Sequence, residues 1–313
     1  MKVAILDDVH GVYAGTAAVA RLRARADVHI FAEPFGPPSA LDGFDALIAN
    51  RERTRFTREL MQQLRDVRLI VQTGNHAYHI DFDAARERGI VVARASGGYS
   101  VGAAELAIAL ALAVMRRIPV SDAAVRRGEW NTPSTPVLRG KVLGIIGLGR
   151  VGRHVAGLGA AFGMRVMAWS PSLTDADAVA AGAERQPLET VLQAADVVSL
   201  HAALTPTSRG LLSAHRLRLM KPTAYLINTA RGALVDEAAL VTALREGWIA
   251  GAGLDVFATE PLPAGHPLTA FDNVVLTPHL GWPTDDGYAR FADAACDVLL
   301  AFIEGCKVPQ FNP

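Results

Sequence analysis

The sequence predicts an α/β protein with two doubly wound parallel-sheet domains. Short apolar segments alternate with longer segments of helical spacing along most of the chain, which is typical of parallel sheets covered by helices on both faces. A glycine-rich turn joins two of the apolar segments at Gly147. Polar residues directly follow several predicted strands, and the carboxyl ends of parallel strands share one edge of a sheet. These observations predict a ligand site at such an edge.

The composition is that of an ordinary globular protein. A chain of 313 residues is long enough for two domains. Lys+Arg and Asp+Glu are equal at 31 each, so neither nucleic acid nor a membrane surface is an expected partner. The longest apolar run, Leu106 to Met115, is too short to cross a bilayer. Because the N-terminus lacks a signal-peptide pattern and Cys296 and Cys306 lack metal-type spacing, we expect a cytoplasmic protein without a metal site.

The first part of the chain alternates strands and helices. The predicted strands are 3–6, 28–31, 44–49, 68–72 and 90–93, and the predicted helices are 16–25, 57–64 and 80–89. After the fourth strand, Thr73 to His76 stand where backbone N–H groups could receive a carboxylate, although an ordinary strand-to-helix turn has the same pattern. His76 and His79 have no third partner at metal-ligand spacing, so we expect packing or surface roles for them.

A helix from Ser100 to Arg117 marks the crossing to the second domain, with Ser100 as its expected N-cap. Its body is almost entirely apolar, so it needs burial on several sides, as between two domains or two subunits. The polar segment after Pro119, which contains Trp130, predicts an extended arm.

The stretch 141–169 predicts a βαβ unit with G-x-G-x-x-G at its first turn. Gly147 permits the tight turn, Gly149 allows the backbone to approach a pyrophosphate, and Gly152 allows the helix to pack on the strand. The N-terminus of the following helix offers N–H groups and a positive dipole end to phosphates. We therefore predict a dinucleotide-binding domain of the Rossmann type.

Four further strands are predicted beyond Trp169, and polar residues stand at their carboxyl ends. They are 196–200 before His201, 224–228 before Thr229 to Arg231, 252–256 with Asp255, and 274–277 before His279. Scattered surface residues would show no such bias, so we expect this edge to face the cofactor. For His201, cofactor contact and packing at a strand end both stay open. A final helix, 286–304, and the tail after it suggest a return to the first domain.

Four sequence blocks resemble those of the D-isomer-specific 2-hydroxyacid dehydrogenases. They are His-Ala-Ala-Leu-Thr-Pro (201–206), Ile-Asn-Thr-Ala-Arg-Gly-Ala-Leu-Val-Asp-Glu (227–237), Gly-Leu-Asp-Val-Phe-Ala-Thr-Glu-Pro-Leu-Pro (253–263) and Thr-Pro-His-Leu-Gly-Trp (277–282). The late helix after His279 and the tail behind it predict a Rossmann nucleotide-binding domain, 99–283, and a discontinuous flavodoxin-like substrate domain made of 1–98 and 284–313. The resemblance implies NAD or NADP as cofactor, a small 2-oxo or 2-hydroxy acid as substrate, and a homodimer.

The same resemblance implies roles for single residues. Arg231 binds the substrate carboxylate and carbonyl, Glu260 and His279 form the acid–base pair, and Asp255 faces the nicotinamide end of the cofactor. The resemblance implies dinucleotide contacts at Arg150, Val151, Thr229 and Ala230. With the glycine turn and the strand-end positions, the full set of candidate dinucleotide contacts is Gly147, Gly149, Arg150, Val151, Gly152, Ser170, His201, Thr229, Ala230, Arg231 and Asp255. The implied substrate contacts are Gly74, Asn75, Arg231 and His279.

The chemistry of these residue types agrees with such roles. Reducing a 2-oxo acid requires a hydride at carbon, a proton at oxygen and a cation for the carboxylate. Arg231 has a planar fork that binds an oxyanion through two hydrogen bonds. Histidine changes charge near neutral pH, and a carboxylate such as Glu260 beside His279 would favour its protonated form.

Two positions depart from the family pattern. NAD-specific members carry Asp or Glu where this chain has Ser170, so the usual acceptor for the ribose 2′-hydroxyl is missing. No arginine follows Ser170 immediately to bind a 2′-phosphate, which leaves the choice between NAD and NADP open. In the substrate loop, Asn75-His76-Ala77 is also unusual, which leaves the substrate open.

The expected activity is that of a glyoxylate or hydroxypyruvate reductase. D-3-phosphoglycerate dehydrogenase and phosphite dehydrogenase are alternatives with the same architecture, whereas formate dehydrogenases do not need a partner of the Glu260 type. An alternative from another class is a dinucleotide-sensing corepressor, which the complete set of Arg231, Glu260 and His279 disfavours.

Overall fold

The computed structural model describes residues 1–74, 77–97, 101–130 and 133–311. The chain divides into two compact units. The first comprises Met1–Tyr99 and Pro283–Pro313, and the second comprises Ser100–Trp282. The assignment of the first unit to substrate binding and of the second to dinucleotide binding stays a prediction.

Strands and helices alternate along the described residues. The strands are β1 (Lys2–Ile5), β2 (Asp27–Ile30), β3 (Ala46–Ala49), β4 (Leu69–Thr73), β5 (Val91–Ala95), β6 (Val142–Ile146), β7 (Arg165–Trp169), β8 (Glu184–Arg185), β9 (Val197–Leu200), β10 (Tyr225–Asn228), β11 (Gly251–Leu254) and β12 (Val274–Leu276). The helices are α1 (Ala17–Arg23), α2 (Arg58–Gln63), α3 (Phe82–Glu87), α4 (Val101–Met115), α5 (Ile118–Arg126), α6 (Arg150–Ala161), α7 (Asp175–Ala180), α8 (Leu188–Ala194), α9 (Ala214–Leu219), α10 (Glu237–Arg245) and α11 (Asp285–Ile303).

The first unit contains a five-stranded parallel sheet in the order β2-β1-β3-β4-β5. This is the flavodoxin-like order, and it confirms the predicted fold class. Every residue of β3 and β4 is buried, as expected for central strands of a parallel sheet with both faces covered. The edge strand β2 instead alternates between exposed and half-buried residues.

The C-terminal segment belongs to this first unit. Helix α11 begins after Thr284, whose hydroxyl caps its first turn, and Asp297 of α11 forms an ion pair of 3.0 Å with Arg21 of α1. Beyond α11, Gln310 forms an antiparallel bridge with Ala93 of β5. Residues from both ends of the chain therefore build one sheet and its helical cover.

The second unit contains a seven-stranded parallel sheet in the order β12-β11-β10-β9-β6-β7-β8. Counted from β6, this is the Rossmann order with one further strand, which confirms the predicted fold class of this unit. The strand order reverses between β6 and β9. The carboxyl ends of these two strands form the switch point at which open α/β sheets bind their ligands.

Helix α4 packs directly on β11 of this sheet. A Cβ added at Gly253 of β11 would lie 2.9 Å from the Leu110 Cβ of α4, so the glycine permits the close approach. Most residues of α4 are buried, which explains its almost uniformly apolar sequence. The predicted N-cap, Ser100, lies outside the described residues.

The segment after Arg117 corrects the prediction of an extended arm. Ile118–Arg126 form helix α5, and Pro119 lies in its first turn. A proline costs no hydrogen bond there, because the first N–H groups of a helix have no intrahelical acceptor. Arg117, with a φ of 53°, turns the chain between α4 and α5. Pro119 therefore marks the start of a second helix, and the irregular segment is confined to residues after it.

In the described ranges, no helix is long and apolar enough to cross a membrane. Likewise, the described His, Cys, Asp and Glu side chains form no group of three or more suited to a metal ion. Both cysteines are free thiols: Cys296 is buried and Cys306 is exposed.

Candidate active site

The turn between β6 and α6 combines two closely packed glycines with one open position. A Cβ added at Gly147 would collide with the backbone at Ala202, and Gly147 also has a φ of 106°. A Cβ at Gly152 would collide with the carbonyl oxygen of Gly147. Around Gly149, in contrast, no other described atom would lie within 4 Å of such a Cβ. The turn therefore leaves a free space at Gly149.

This space adjoins the N-terminus of α6. Gly149 is the N-cap, and no described side chain caps this end of the helix. Arg150 and Val151 are the first two helical residues, and N–H groups of a first turn have no intrahelical acceptor. The open space and the free donors together fit the pyrophosphate of a dinucleotide.

Ser170 fastens the same turn from the end of β7. Its hydroxyl accepts a hydrogen bond of 2.7 Å from the Leu148 N–H. The neighbouring Trp169 carbonyl accepts another, also 2.7 Å, from the Gly147 N–H. The Ser170 hydroxyl still has its own proton to donate, which suits a phosphate oxygen as well as a ribose hydroxyl.

The loop after β10 carries Arg231 and is held by Asn228. The buried Asn228 side chain accepts from the Ala230 N–H (3.1 Å) and donates to the Arg231 carbonyl (2.9 Å). Next to them, Thr229 Oγ1 is buried without a hydrogen-bond partner among the described residues. Buried polar groups are nearly always hydrogen-bonded, so this hydroxyl fits a bound cofactor that would supply the missing partner.

Glu260 and His279 are in direct contact. His279 Nδ1 lies 2.8 Å from Glu260 Oε2, and Glu260 Oε1 accepts from the Phe257 N–H at 2.9 Å. With Nδ1 donating to the carboxylate, the other ring nitrogen, Nε2, is the one available to a substrate. Burial raises the pKa of Glu260, but its hydrogen bonds to His279 and Phe257 and the nearby charges of His279 and Arg231 lower it below the ordinary value.

Asp255 supports the turn on which His279 lies. The fully buried carboxylate accepts hydrogen bonds from the Thr277 hydroxyl (2.5 Å), the Leu280 N–H (2.6 Å) and the Gly281 N–H (2.9 Å). Burial raises the pKa of Asp255, and these hydrogen bonds act in the opposite direction. His279 has a φ of 56°. The Asp255 carboxylate therefore supports the turn at a left-handed backbone position that residues other than glycine seldom adopt.

His201 follows β9 beside the glycine turn. Its ring nitrogen Nε2 lies 2.8 Å from the Ser199 hydroxyl. The backbone N–H of His201 donates to the Ile146 carbonyl at the end of β6. Burial lowers its pKa to about 4. The imidazole is therefore neutral at physiological pH, which agrees with a packing residue and also with one that contacts a cofactor.

In the first unit, Gly74 directly follows β4, has a φ of 106° and donates its backbone N–H to the Ala95 carbonyl. Asn75 and His76, the rest of the predicted substrate loop, lie outside the described residues. His79 is buried, and its Nε2 lies 3.2 Å from Gln72 Oε1, which agrees with the expected packing role.

Sequence reasoning overlooked four residues that organise this site. Asn228 holds the Arg231 loop, and Thr277 binds Asp255. Glu237 contacts the Ala258 N–H and His266, which lie on either side of Glu260 in the chain. Three of them lie within the blocks quoted for the resemblance, so the signal was a polar residue close to the expected catalytic ones. His266 lies just beyond such a block, and its contact partner is distant in sequence.

Comparisons with known proteins agree with this geometry. Residues 108–281 match the family described as D-isomer specific 2-hydroxyacid dehydrogenase, NAD binding domain. The chain is 45% identical to a glyoxylate reductase of Aeropyrum pernix over 82% of this chain and 78% of that protein. It is 37% identical to a D-3-phosphoglycerate dehydrogenase of Bacillus subtilis over 86% of this chain, and the match spans about half of that longer protein.

A crystal structure of phosphoglycerate oxidoreductase from Vibrio cholerae superposes with a TM-score of 0.85 at 32% identity, covering 98% of this chain and all of that one. The matched family is defined by its NAD-binding domain, which agrees with the predicted NAD or NADP cofactor. The chain therefore belongs to the D-isomer specific 2-hydroxyacid dehydrogenase family and is an oxidoreductase.

Proposed function

We propose that this protein reduces a small 2-oxo acid of the glyoxylate and hydroxypyruvate class to the D-2-hydroxy acid. The observation that carries this proposal is the 2.8 Å contact between Glu260 and His279, with the charge of Arg231 close enough to act on Glu260. Relatives named glyoxylate reductase, at 38 to 45% identity, support the substrate class.

The residues divide the reaction between them. NADH or NADPH, when bound, supplies the hydride for the carbonyl carbon. His279 donates the Nε2 proton to the carbonyl oxygen, and Glu260 stabilises the protonated imidazole before transfer. Arg231 binds the substrate carboxylate with its planar fork and so aligns the carbonyl. The 2-oxo acid gains one hydride and one proton and leaves as the hydroxy acid.

D-3-phosphoglycerate is the second candidate substrate class. Relatives of that name match at 37 to 39% identity, and this chain spans about half of their length. Phosphite oxidation has no such support among the relatives named here. A corepressor would bind the dinucleotide without turnover, whereas Glu260 and His279 are already arranged for proton transfer.

The test is an assay of glyoxylate, hydroxypyruvate, pyruvate and 3-phosphohydroxypyruvate with NADH and NADPH in parallel. We expect turnover of at least one 2-oxo acid, and His279→Ala should lower kcat by roughly 10²- to 10⁴-fold, as for other lost general acids. Cofactor affinity, measured by nicotinamide fluorescence, should stay nearly unchanged. Parent-level turnover in His279→Ala would eliminate the mechanism, and cofactor binding without any turnover by the parent would favour the corepressor.

The proposal also covers the oligomeric state and the cellular location. A homodimer is supported by apolar side chains exposed around α5, with Ile118 at 52%, Val125 at 54% and Trp130 at 83% of their full exposure. A cytoplasmic location is supported by the two free thiols, since reducing compartments keep cysteines unpaired.

A further inference from the structure

Glu260 lies on a largely exposed loop between two buried residues, Phe257 and Leu268. The loop leaves β11, passes through Phe257 and Ala258, and ends at a 3₁₀ turn over Pro267–Ala270. Most residues between 258 and 267 are exposed. Such a segment samples several backbone positions unless polar contacts hold it. Glu260 nevertheless lies within hydrogen-bond distance of His279.

A single carboxylate contacts both ends of this loop. Glu237 Oε2 accepts a hydrogen bond of 3.0 Å from the Ala258 N–H, two residues before Glu260. Glu237 Oε1 lies 3.3 Å from His266 Nε2, six residues after Glu260. The side chains of Glu237 and His266 are only 24% and 17% exposed, so water competes weakly for the contact between them.

The second nitrogen of His266 fixes its tautomer. His266 Nδ1 accepts a hydrogen bond of 3.3 Å from the Leu268 N–H, which starts the 3₁₀ turn. Because Nδ1 accepts, the proton of the neutral ring resides on Nε2 and is donated to Glu237. Thr269 adds a hydrogen bond of 2.7 Å to the His266 carbonyl. The end of the loop therefore has a defined orientation that depends on Glu237.

Glu237 itself is rigidly placed. It is the first residue of α10, whose N-cap is Asp236, and a carboxylate is favoured at the positive end of a helix. The start of the loop also lies against Gly232, where an added Cβ would collide with the Phe257 carbonyl. Gly232 directly follows Arg231. This packing contact between Gly232 and Phe257 places the start of the Glu260 loop next to the segment of Arg231.

We propose that Glu237 and His266 form a positioning pair that holds Glu260 against His279. This inference rests on the proposed acid–base function of Glu260 and His279. Neither residue touches the substrate. Glu237 fixes the entry of the loop through Ala258, His266 fixes its exit, and Glu260 is thereby kept at one distance from the imidazole.

The kinetic test compares Glu237→Ala and Glu237→Gln with Glu246→Gln at the other end of α10. Glu246 is exposed and does not contact the loop through any described hydrogen bond, so it is the matched control. We expect Glu237→Ala to lower kcat roughly 10- to 100-fold, because small displacements of a catalytic group have effects of this size. The KM for the cofactor should stay within twofold. Glu237→Gln keeps an acceptor for the Ala258 N–H but turns its NH2 group towards the donating Nε2 of His266, so it should recover only part of the rate. Glu246→Gln should keep the parent rate.

A double-mutant cycle separates positioning from a merely structural role. If Glu237 acts through Glu260, adding Glu237→Ala to Glu260→Gln should cost little beyond Glu260→Gln alone, because residues acting through one contact are not additive. Losses that multiply would overturn the proposal. An equal loss in Glu237→Ala and Glu237→Gln, matched by a lower melting temperature, would overturn it as well.

A measurement without substrate distinguishes this proposal from the proposed function. Hydrogen exchange followed by mass spectrometry reports the amides of Phe257, Ala258 and Leu268, all of which donate to side chains in the structure. Glu237→Ala and His266→Ala should accelerate exchange in the peptide spanning 256–268. In the control, Glu246→Gln, exchange of this peptide should equal that of the parent protein. Unchanged exchange overturns the positioning pair even if 2-oxo acids are reduced. Faster exchange in a protein that reduces none of them leaves the pair intact and refutes the proposed function alone.

Discussion

At the scale of single residues, Glu260 uses its two carboxylate oxygens for different tasks. Oε1 accepts the Phe257 N–H and fixes the side chain, while Oε2 meets His279 Nδ1. Since the pKa of Glu260 lies below its ordinary value despite the opposing effect of burial, the carboxylate stays ionised over the pH range in which a histidine gains its proton. As the pH falls, the Glu260 carboxylate therefore keeps its charge until the pH is well below that range.

Glu260→Gln should consequently change the pH dependence of kcat for the reduction. The amide no longer stabilises the protonated imidazole of His279, so the pH at which reduction reaches half its maximal kcat should fall by about one unit, the usual effect of a nearby opposite charge. The measurement is a kcat profile between pH 5 and 9 with a saturating 2-oxo acid. Glu304→Gln, an exposed glutamate of the first unit, is the control. Superimposable profiles for the parent and Glu260→Gln would show that the carboxylate does not assist the proton transfer.

Ser170 is the residue at which cofactor choice is tested. Ser170→Asp should raise the ratio of kcat/KM with NADH to that with NADPH on the order of tenfold, corresponding to about 1.4 kcal/mol. A carboxylate accepts from the ribose hydroxyls of NADH and repels the 2′-phosphate of NADPH. It can still accept the Leu148 N–H that Ser170 now binds.

Ser172→Asp places the same charge two residues away on an exposed position and serves as the control. An unchanged ratio in Ser170→Asp, or an equal change in both variants, would show that Ser170 does not select the cofactor.

The sequence indicated candidate chemical groups more readily than the groups that hold them. Arg231, Glu260 and His279 came from the family resemblance, supported by the chemistry of their residue types and by the strand-end positions of Arg231 and His279, and their roles stay predictions. The contacts of Asp255 and Glu237 were not found, since their partners come from other strands and loops whose spacing the sequence does not reveal. For Asp255, the sequence suggested the nicotinamide end of the cofactor, while the structure shows its carboxylate bound to the segment of His279.

At the scale of elements, the turn between β6 and α6 separates a ligand-facing glycine from a packing glycine. Gly149→Ala should weaken binding of NADH, because the new methyl group enters the open space, but should leave the melting temperature nearly unchanged, because no described atom obstructs it. Gly152→Ala should instead lower the melting temperature by several degrees, since the methyl group collides with the Gly147 carbonyl and overpacking typically costs about 1–3 kcal/mol.

The two variants are measured side by side by thermal unfolding and by nicotinamide fluorescence titration. Equal losses of stability would show that the space at Gly149 is structurally required. Undiminished NADH affinity in Gly149→Ala would show that this turn does not receive the pyrophosphate.

Most elements followed from periodicity, because buried parallel strands are short and uniformly apolar. Helix α5 did not, since Pro119 was interpreted as the end of a helix. A proline can follow the end of one helix or lie in the first turn of the next. Here the left-handed turn at Arg117 ends the previous helical segment, and Pro119 lies in the first turn of α5. A backbone dihedral of this kind is set by the packing of α4 and α5 and leaves no residue pattern in the sequence.

At the scale of the whole molecule, the sheet orders followed from general rules. Right-handed crossovers and adjacent sequential strands restrict a βα repeat to a few topologies, and both observed orders are among them. The glycine turn then identified the Rossmann unit.

The apolar surface around α5 leads to a prediction about assembly. We expect a homodimer at micromolar concentration by multi-angle light scattering, and Trp130→Asp should shift it towards the monomer because a charge in an apolar interface is costly to bury. Tyr78→Asp, at another exposed aromatic residue in the first unit, is the control and should leave the mass unchanged. A monomer for the parent protein at this concentration would contradict the proposal.

The two-part make-up of the first unit has a consequence for synthesis on the ribosome. When Trp282 has left the exit tunnel, every residue of the second unit has been made. The first unit, although its strands are synthesised earliest, still lacks α11 and the segment that pairs with β5. Its sheet must wait with part of its apolar surface uncovered until Pro283–Pro313 arrive, so the domain begun first is the last that can be completed.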